Sequence, residues 1–531
     1  MVNTLFLDSV LKEILSLLPP DASSSDVQRI KTKVAKKYHL KSLPRNSELL
    51  AAAPQKDTER YRRILLVKPA RTLSGVAPVA VMTSPHPCPH GKCLPCPGGP
   101  DHPFNSPQSY TGEEPAALRG RQHAYDPFSQ VTARLRQFEE LGHHINKVEL
   151  IVMGGTMTAR DPEYQQWFMA ECLRAMNSYG SETVTASGER SYEELCTDNE
   201  STRARCIGAT FETRPDYCGR EEIDRMLRLG ITKVELGFQH NDDAVLDYNR
   251  RGHDVACSVE TNRLLRDAGM KVGFHVMPNL PSATLEGDRR MFEALFTDPR
   301  FRPDFLKIYP TLVTPGSEIE ALWKAGGYTV YDEDKLIDLI AYGKSLLPEY
   351  VRLQRVQRDI PAKLITAGSR HSNFRQLCKN RLVAEGGVCR CIRCREAGRQ
   401  TIEEEPVIEH LTYDCAGGTE HFISAVAGDA LIGFIRLRFP ADPWRMECEG
   451  AALIRELHVY GPLVPVAQQA GTSEWQHRDF GKRLLAAAEV CATDADFSRM
   501  VIMSGIGVRP YYLQQGYCRE GPYMVKEMGS R

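Results

Sequence analysis

Cys88, Cys93 and Cys96 form a C-x4-C-x2-C triplet in the string CPHGKCLPCPGG. This spacing predicts three thiolates that bind one face of an iron–sulfur cube. A fourth cysteine is missing nearby, so one iron would stay open for the amino and carboxylate groups of S-adenosylmethionine (SAM). The alternative is a partial zinc site, for which His86 or His90 would supply the fourth ligand.

A second group of cysteines, Cys389, Cys391 and Cys394, lies within six residues of the chain. Free surface thiols between domains rarely crowd in this way, so the ligand type and the spacing favour a structural zinc site. The sequence leaves the fourth ligand open between Cys378 and His371.

A third motif, QHRDFGKRLL, follows the apolar run IRELHV and opens a helix. The backbone N–H groups at a helix N-terminus bind pyrophosphate, and the motif is close to the Q/R-x-x-G-x-G/A loop by which acetyltransferases hold coenzyme A. The departure is Asp479, which stands where a glycine is expected. Either this loop binds its ligand less tightly, or Asp479 turns outward and Lys482 and Arg483 supply charge. An ordinary helix cap is the alternative.

Composition narrows the class of protein. The chain has 531 residues, with 42% hydrophobic residues, 25% charged residues and a net charge of −1, which is typical of a globular protein of several domains. The sequence contains no apolar run of membrane-spanning length, and its N-terminus lacks the order of a signal peptide. Sixteen cysteines in two main clusters predict metal binding in a reducing compartment, so we expect a cytoplasmic protein.

Residues 1–75 form a separate basic segment. Between Gln28 and Arg71 the sequence contains thirteen Lys or Arg residues but only three acidic residues, although the net charge of the whole chain is nearly zero. The run QRIKTKVAKKYHLK predicts a helix with Lys33, Lys36 and Lys37 near one face. Such a face is often merely solvated, but the local charge excess predicts phosphate binding. Tyr61 would either stack on a base or pack inside.

Residues 76–370 alternate apolar strands with helices, which predicts parallel pairing and an incomplete (β/α) barrel. Gly154 and Gly155 directly follow one strand, where the active sites of such barrels lie. A zinc-binding linker over 371–400 and a mixed α/β domain over 401–531 would follow. The predicted barrel strands are Val148–Met153, Cys206–Glu212, Thr232–Phe238, Val272–Met277, Phe305–Leu312 and Val351–Val356. The predicted elements of the last domain are Glu420–Val426, Leu431–Phe439, Leu453–Val459, a helix over Gly481–Cys491 and Arg499–Met503.

Taken in order, the motifs resemble those of the Elongator catalytic-subunit family, in a prokaryotic form. The matching strings include RTLSG, CPHGKC, QSYTGEEP, KVELIVMGGT, FETRPDYC, KVELGFQ, RVQRDIP, RELHVYG, QHRDFGKRLL, RPYY and GPYMVK. They run nearly end to end from about residue 71, whereas the first 70 residues match mainly in being basic. The resemblance implies a radical-SAM partial barrel joined to an acetyltransferase domain of the GNAT type.

The resemblance also implies an activity and its residues. The family makes 5-carboxymethyluridine at the wobble uridine of tRNA, using a 4Fe–4S cluster, SAM and acetyl-CoA, with hydrogen taken from the acetyl methyl group. Cys88, Cys93 and Cys96 match the cluster ligands, and Gly154, Gly155 and Thr156 match the SAM motif. Lys147 and Tyr512 would be catalytic. The residues matching acetyl-CoA contacts are Lys147, Glu456, Leu457, His458, Val459, Phe480, Gly481, Lys482 and Tyr512.

Other functions follow from the same motifs. The C-terminal domain alone would suit a protein lysine acetyltransferase, with Glu456 or His458 as the base and a merely structural cluster domain. A tRNA-binding scaffold without turnover would not need Lys147 or the cluster cysteines. The open iron favours the radical enzyme. The sequence identifies neither the electron donor nor the tRNA isoacceptors. We expect a monomer or a homodimer without the eukaryotic accessory subunits, and the sequence does not decide between these two oligomeric states.

Overall fold

The computed structural model describes residues 2–67, 72, 74–100, 105–180, 190–399, 402, 404–460 and 479–529. Within them, a helical N-terminal domain precedes two seven-stranded sheets. The Gln476-His477-Arg478 part of the predicted pyrophosphate loop lies outside the described residues, as do Lys68 and Arg71 of the basic segment. None of the helices described is long and apolar enough to cross a bilayer.

The basic segment folds as four helices around a core of its own. Helix α2 begins at a capping box in which Ser23 and Asp26 bond each other's backbone N–H groups. Tyr61 is only 5% exposed and donates its hydroxyl to the carbonyl of Leu15 (3.1 Å), so it packs inside and is not available to stack on a base. The helices are α1 (Val2–Leu17), α2 (Ser24–Lys37), α3 (Asn46–Ala51) and α4 (Thr58–Leu65).

The first sheet is an incomplete barrel of seven parallel strands in sequence order, as the alternating pattern predicted. The sequence prediction found six of them and missed β1, which contains Pro78. A proline has no backbone N–H, so in an inner strand it would leave a neighbouring strand without a hydrogen bond. Because β1 is an edge strand and pairs only with β2, it can accommodate Pro78. The strands are β1 (Ala77–Met82), β2 (Lys147–Met153), β3 (Arg205–Thr213), β4 (Lys233–Gln239), β5 (Lys271–Val276), β6 (Phe305–Ile308) and β7 (Arg352–Val356).

Helices cover the outer face of this sheet. Proline occupies the first position of α5, α6 and α7, where its missing N–H costs no hydrogen bond. The helices are α5 (Pro115–Gln122), α6 (Pro127–Glu140), α7 (Pro162–Ser178), α8 (Tyr192–Asn199), α9 (Arg220–Arg228), α10 (Asp243–Tyr248), α11 (Val255–Asp267), α12 (Leu285–Thr297), α13 (Glu318–Lys324), α14 (Glu333–Ser345), α15 (Phe374–Ala384) and α16 (Ile392–Arg395).

The second sheet is mixed, in the order β13-β14-β12-β11-β10-β9-β8. Its strands and helices are β8 (Val407–Cys415), β9 (Gly418–Ala427), β10 (Ala430–Phe439), β11 (Ala451–Val459), α17 (Phe480–Asp494), β12 (Arg499–Ile502), α18 (Arg509–Leu513), β13 (Cys518–Glu520) and β14 (Tyr523–Glu527). The prediction missed the edge strands β8 and β13 and also β14. Most of β8 is exposed on both faces, so it lacks the apolar alternation that marks a half-buried strand.

Buried charges join the two sheets. Asp304, which precedes β6, accepts two hydrogen bonds from Arg455 of β11 (both 2.8 Å). Arg266 of α11 reaches Glu420 of β9 (3.1 Å), and Arg455 also binds Glu420 (2.7 Å). Arg436 with Glu456, and Arg438 with Asp267, complete a set of four arginines and four carboxylates.

This set is balanced in charge, and its arginines are almost completely enclosed. Burial alone would raise the pKa of Asp304, but Arg266, Arg455 and Arg436 hold it well below its usual range. A buried ion is tolerated only when its partners are in place, because water cannot replace them. The interface therefore fixes how the C-terminal domain sits on the barrel.

We predict that Asp304→Asn destabilises the protein by about 3–5 kcal/mol, the cost of leaving a buried charge without its partner. Chemical denaturation followed by circular dichroism would measure the loss. The matched control is Asp359→Asn, because Asp359 pairs with Arg355 where both side chains are 40–50% exposed. The control should change stability by about 0–1 kcal/mol. Equal midpoints for the two variants would contradict this role of Asp304.

Candidate active site

The loop with Cys88, Cys93 and Cys96 follows β1 and lies at the carboxyl ends of the barrel strands. The Thr83 N–H donates to the carbonyl of Met153 at the end of β2 (2.9 Å), which holds the start of this loop against the sheet. The Leu94 N–H donates to the Asn249 carbonyl (3.2 Å) and fixes its centre. The loop therefore lies where the active sites of (β/α) barrels are found.

Each of the three sulfur atoms has a polar neighbour from another part of the fold. Arg251 donates to the sulfur of Cys93 (3.0 Å), and Gln108 donates to that of Cys96 (2.9 Å). The hydroxyl of Thr156 lies 3.4 Å from the sulfur of Cys88. Such donors stabilise thiolates, because hydrogen bonds to a charged sulfur lower its energy.

The surroundings of the loop are electropositive. Burial, with help from Arg214 and Arg251, lowers the pKa of His90 to about 4, and the same causes lower that of His253 to about 3. Burial raises the pKa of Cys88 and of Cys96. These thiols therefore need a bound metal to ionise fully at neutral pH, and the nearby cations suit the negative charge of a thiolate-bound cluster.

The spacing of the sulfurs bears on which metal they bind. In the described part of the chain, three groups of side chains bring metal-ligating atoms within 4.8 Å of one another, and the cysteines of this loop are not among them. Thiolates around a single tetrahedral zinc ion lie about 3.8 Å apart. The wider arrangement fits a polynuclear cluster better than one zinc ion.

Gly154 and Gly155 lie beside the loop, as the sequence predicted. Gly154 has φ +129°, and a Cβ on it would stand 2.1 Å from the Thr83 hydroxyl oxygen, so both backbone and space require glycine. The pocket there is lined by Thr83, His86, Pro87, Cys88, Gln108, Gly154, Thr156, Met157 and Arg160. The structure thus brings the cysteine loop and the Gly154–Thr156 motif together.

Charged side chains line the inside of the barrel, which sequence reasoning missed. Lys307 of β6 contacts Glu212 of β3 (3.3 Å) and Glu235 of β4, and His275 of β5 lies 3.1 Å from Glu235. Tyr110 donates its hydroxyl to Glu212 (2.9 Å). Burial raises the pKa of Glu235 by itself, but Lys307 and His275 hold it well below its usual range. The barrel interior is therefore a paired polar network.

A signal for this network exists in the sequence. Parallel strands buried on both faces are usually continuous apolar runs, yet KVELGFQ, KVGFHV and FLKI carry charges among apolar residues. Tyr110 connects this network to the cysteine loop, because a Cβ on Gly98 would overlap the Tyr110 carbonyl (1.7 Å). The cysteine loop and the polar interior thus form one continuous site.

Lys147 begins β2, at the end of the barrel opposite to Gly154. Met153 is six residues further along the strand, a span of about 20 Å. Burial lowers the pKa of Lys147, and the charge of Arg205 lowers it further. Its ammonium group acts on His458 of β11, whose pKa burial lowers to about 4. Lys147 and His458, predicted from separate motifs, therefore lie at the same end of the barrel, close enough for the charge of Lys147 to act on His458.

The C-terminal sheet opens beside His458. The parallel strands β11 and β12 pair only over Ala451–Ile454 and Arg499–Ile502. The second half of β11, with Glu456, Leu457, His458 and Val459, extends beyond this pairing and keeps β10 on its other side. Two parallel strands that separate in this way leave a gap between them in the part of the chain that the structure describes.

Helix α17 begins next to this opening. Phe480 is its first residue, and a Cβ on Gly481 would lie 3.0 Å from the Tyr511 hydroxyl. Asp479 has φ +58°, a conformation that glycine adopts without strain. Its carboxylate, 69% exposed, lies 3.1 Å from Lys482. The side chain thus points toward solvent and Lys482. This orientation agrees with the second of the two alternatives from the sequence, in which Asp479 turns outward.

The two tyrosines of RPYY differ in their surroundings. Tyr512, the predicted catalytic residue, is 5% exposed and contacts the rings of Tyr511 and Tyr517. Burial raises its pKa. The Tyr511 hydroxyl is buried without a hydrogen-bond partner in the described residues and is the one that faces Gly481. The catalytic role of Tyr512 stays a prediction, and Tyr511 is a further candidate that the sequence did not single out.

Cys389, Cys391 and Cys394 have sulfur atoms within 4.8 Å of one another. Hydrogen bonds from Cys389 and Cys394 hold the pKa of Cys391 well below its usual range. Lys344, Arg375, Lys379 and Arg393 line the adjoining pocket with Cys394, Asn373 and Gln376, and their positive charge suits a metal bound by several thiolates.

Among the described residues, a fourth ligand for a metal bound by these three cysteines is not evident. Cys378 is fully buried in α15 and is not part of the compact group. The Nε2 atom of His371 lies 3.1 Å from Glu333. The cysteine segment is attached to both sheets. The Ile392 N–H donates to the Val351 carbonyl beside β7 (3.0 Å), and the backbones of Glu396 and Leu431 form an isolated parallel β-bridge. The segment therefore connects the barrel to the second sheet directly.

Comparison with known families agrees with these features. A model of the Radical SAM superfamily matches residues 87–295, and a model of the Radical_SAM C-terminal domain matches residues 303–384. A model of the ELP3 N-terminal domain matches residues 6–73. The barrel and its cysteine loop thus belong to a radical SAM domain, a family whose members hold a 4Fe–4S cluster and SAM.

Several relatives match nearly the whole chain. The tRNA uridine(34) acetyltransferase of Methanocaldococcus jannaschii is 46% identical over 495 residues, covering 91% of this chain and 90% of that protein. Human Elongator complex protein 3 is 42% identical over 521 residues, covering 94% and 93%. The structure of Methanocaldococcus infernus Elp3 with an N-terminus deletion matches with a TM-score of 0.74 and 40% identity, covering 86% of this chain and 100% of that one. The chain therefore belongs to the family of the archaeal tRNA uridine(34) acetyltransferases and Elongator complex protein 3.

Proposed function

We propose that this enzyme forms 5-carboxymethyluridine at uridine 34, the wobble position of tRNA anticodons, from acetyl-CoA with SAM-derived radical chemistry. The proposal rests on one observation: a single barrel connects the cysteine loop with the opening beside β11. The cysteine loop lies at one end of the strands, and Lys147, whose charge acts on His458, lies at the other end. The names of the two archaeal relatives support tRNA uridine 34 as the substrate position.

Cys88, Cys93 and Cys96 would hold the 4Fe–4S cluster, and Gly154, Gly155 and Thr156 would contact SAM. A bound cluster with SAM supplies a radical able to abstract hydrogen from an unactivated carbon. Arg251 and Gln108 keep the ligating sulfurs hydrogen-bonded. Glu212, Lys307 and Tyr110 form a polar surface beneath the cysteine loop, where a flipped-out base would find hydrogen-bond partners.

The opening beside β11 is the proposed site for acetyl-CoA. The backbone of Glu456, Leu457 and His458 borders the gap that the described residues leave between β11 and β12, and the N-terminal end of α17 at Gly481 suits a pyrophosphate. Lys482 adds positive charge to that turn. Lys147 and Tyr512 would act at the thioester end, together with Tyr511.

Cys389, Cys391 and Cys394 would hold a structural zinc ion, with Cys378 or His371 as the fourth ligand. Zinc there would cross-link the segment that connects β7 with the second sheet. Its part in the proposal is to keep the two sites at a fixed separation.

No observation favours a protein lysine acetyltransferase. That reaction needs a base to deprotonate an amine, and Glu456 is held by Arg436 (2.8 Å). Burial lowers the pKa of His458 to about 4, which makes it a weak base at neutral pH. The geometry of β11 suits binding of a thioester better than proton removal from a lysine.

The product of the reaction tests the proposal. Purified protein, reconstituted without oxygen with iron and sulfide, should convert uridine 34 to 5-carboxymethyluridine when given SAM, a reductant, acetyl-CoA and tRNA. Mass spectrometry of the digested tRNA would detect the nucleoside. Cys96→Ala should abolish both the product and 5′-deoxyadenosine, because the cluster loses a ligand.

The control for this experiment is Cys257→Ala, since Cys257 is half-buried but lies outside the metal-ligating groups of the described residues. This variant should keep both products. An acetylated peptide without deoxyadenosine, or full turnover by Cys96→Ala, would contradict the proposal.

The N-terminal helices are the proposed binding surface for tRNA phosphates. Lys33, Lys36 and Lys41 are exposed, whereas Lys31 is buried beside Asn46 and Lys37 is paired with Glu13 (2.8 Å). Changing Lys33, Lys36 and Lys41 together to Gln should weaken tRNA binding. The slope of log affinity against log salt should flatten by about 0.7–0.9 for each lysine that binds a phosphate in the wild type.

The matched control changes three lysines outside the N-terminal helices that are each paired with a carboxylate, Lys324, Lys335 and Lys526, to Gln. It removes the same charge and should leave the salt slope unchanged. Filter-binding titrations over a range of salt would measure both variants. An equal slope for both triple variants would contradict phosphate binding and indicate that the basic helix face is only solvated.

A further inference from the structure

Three metal-ligating side chains meet in the C-terminal domain, and none of them belongs to either cysteine cluster. They are His410 on β8, His421 on β9 and Cys491 in the last turns of α17. The antiparallel pairing places Thr412 opposite His421 and Ile423 opposite His410, so both histidines lie on the same face of the sheet. Helix α17 packs on that face and brings Cys491 to it.

The separations of the ligand atoms are close to those around one metal ion. The Nε2 atom of His410 lies 2.9 Å from the Nδ1 atom of His421, and the Cys491 sulfur lies 3.8 Å from the same Nδ1. All three ligand atoms lie within 4.8 Å of one another. In a tetrahedral zinc site, two nitrogens are about 3.3 Å apart, and a nitrogen and a sulfur about 3.6 Å. Shifts of about an ångström or less therefore convert this group into a metal site.

The surroundings allow both entry and selection of an ion. His410 is exposed, Cys491 is half-buried and His421 is 8% exposed, so the group is open on one side and enclosed on the other. The ring of Phe439 lies 4.3 Å from that of His421 and closes the inner side. The Thr412 hydroxyl lies 3.3 Å from His421 and 3.5 Å from His410, where it can orient a water molecule in the fourth position.

The charge state of the ligands agrees with this geometry. Burial lowers the pKa of His421 to about 4, and that of His410 is also lowered by burial. Both imidazoles are therefore neutral at pH 7, which is the form that binds metals. Two imidazoles and one thiolate are ligands that zinc and related borderline divalent ions prefer over magnesium or calcium.

We propose that His410, His421 and Cys491 bind a divalent ion of the zinc class, with one coordination position open to solvent. The ion would join the edge strand β8, its neighbour β9 and the end of α17. The first turn of that same helix carries Phe480 and Gly481, so bound metal would also restrain the opening beside β11. The site is independent of the proposed function, because that function assigns no role to His410, His421 or Cys491.

Alkylation of individual cysteines tests the site without interference from other metals. Iodoacetamide labelling of Cys491 in the full-length holoenzyme would be timed by peptide mass spectrometry, in buffer with excess zinc chloride or with a chelator. Zinc should slow labelling of Cys491 by about tenfold or more, because a metal-bound thiolate is a poor nucleophile. Cys518 is exposed and lies outside the group, so it reports within the same sample on general effects of zinc.

His410→Gln is the matched variant, since His410 is exposed and its loss leaves the packing of His421 and Cys491 in place. In this variant zinc should no longer protect Cys491, while the labelling rate of Cys518 should equal that in the wild type. Equal labelling of Cys491 with zinc and with chelator in the wild type would overturn the proposal. Undiminished protection in His410→Gln would also overturn it.

Discussion

The ion pair between Asp304 and Arg455 holds the whole arrangement in place. Asp304 stands at the start of a barrel strand, and Arg455 lies on β11 of the second sheet, with two hydrogen bonds of 2.8 Å between them. Because both groups are enclosed, any other docking of the two sheets leaves a charge without its partner. Arg266 and Glu420 extend the same constraint across the interface. A hydrophobic interface alone would tolerate sliding, whereas this one specifies a single orientation.

That orientation decides where the second half of β11 lies. The strand beyond Ile454 has left β12, and His458 there is within reach of the charge on Lys147 at the start of β2. The cysteine loop lies at the other end of the same barrel, where Tyr110 links it to Glu212. The barrel thus separates two sites by a fixed distance and fills the space between them with paired charges. In the proposed reaction, the acetyl group bound beside β11 therefore has to move to the end of the barrel that carries the cysteine loop before its methyl group reacts.

Local features of this protein were predictable where a residue pattern has one physical explanation. The parallel barrel follows from alternating strands and helices, and the meeting of the cysteine loop with Gly154 follows from their places at strand ends. The strand β1 was missed because Pro78 argues against an inner strand, and only the tertiary fold shows that it is an edge. The burial of Tyr61 could not be predicted, because nothing in RYRR distinguishes a stacking tyrosine from a packed one.

Long-range pairings were the least predictable. No local pattern pairs Lys307 with Glu235 or Asp304 with Arg455, since these partners lie far apart in the chain. The fourth ligand beside Cys389, Cys391 and Cys394 stays open for the same reason. Strand charges such as Lys233 and Glu235 did carry a signal, because a fully buried parallel strand is otherwise apolar.

The most direct test of the account follows the hydrogen that leaves the acetyl group. The complete reaction would be run with acetyl-CoA deuterated in its methyl group, together with SAM, reductant and tRNA. If the two sites act together, 5′-deoxyadenosine should gain deuterium and the new carboxymethyl group should keep the remaining label. Deoxyadenosine that forms without deuterium while the modified uridine appears would contradict the account, because the acetyl methyl would then not be the carbon that reacts.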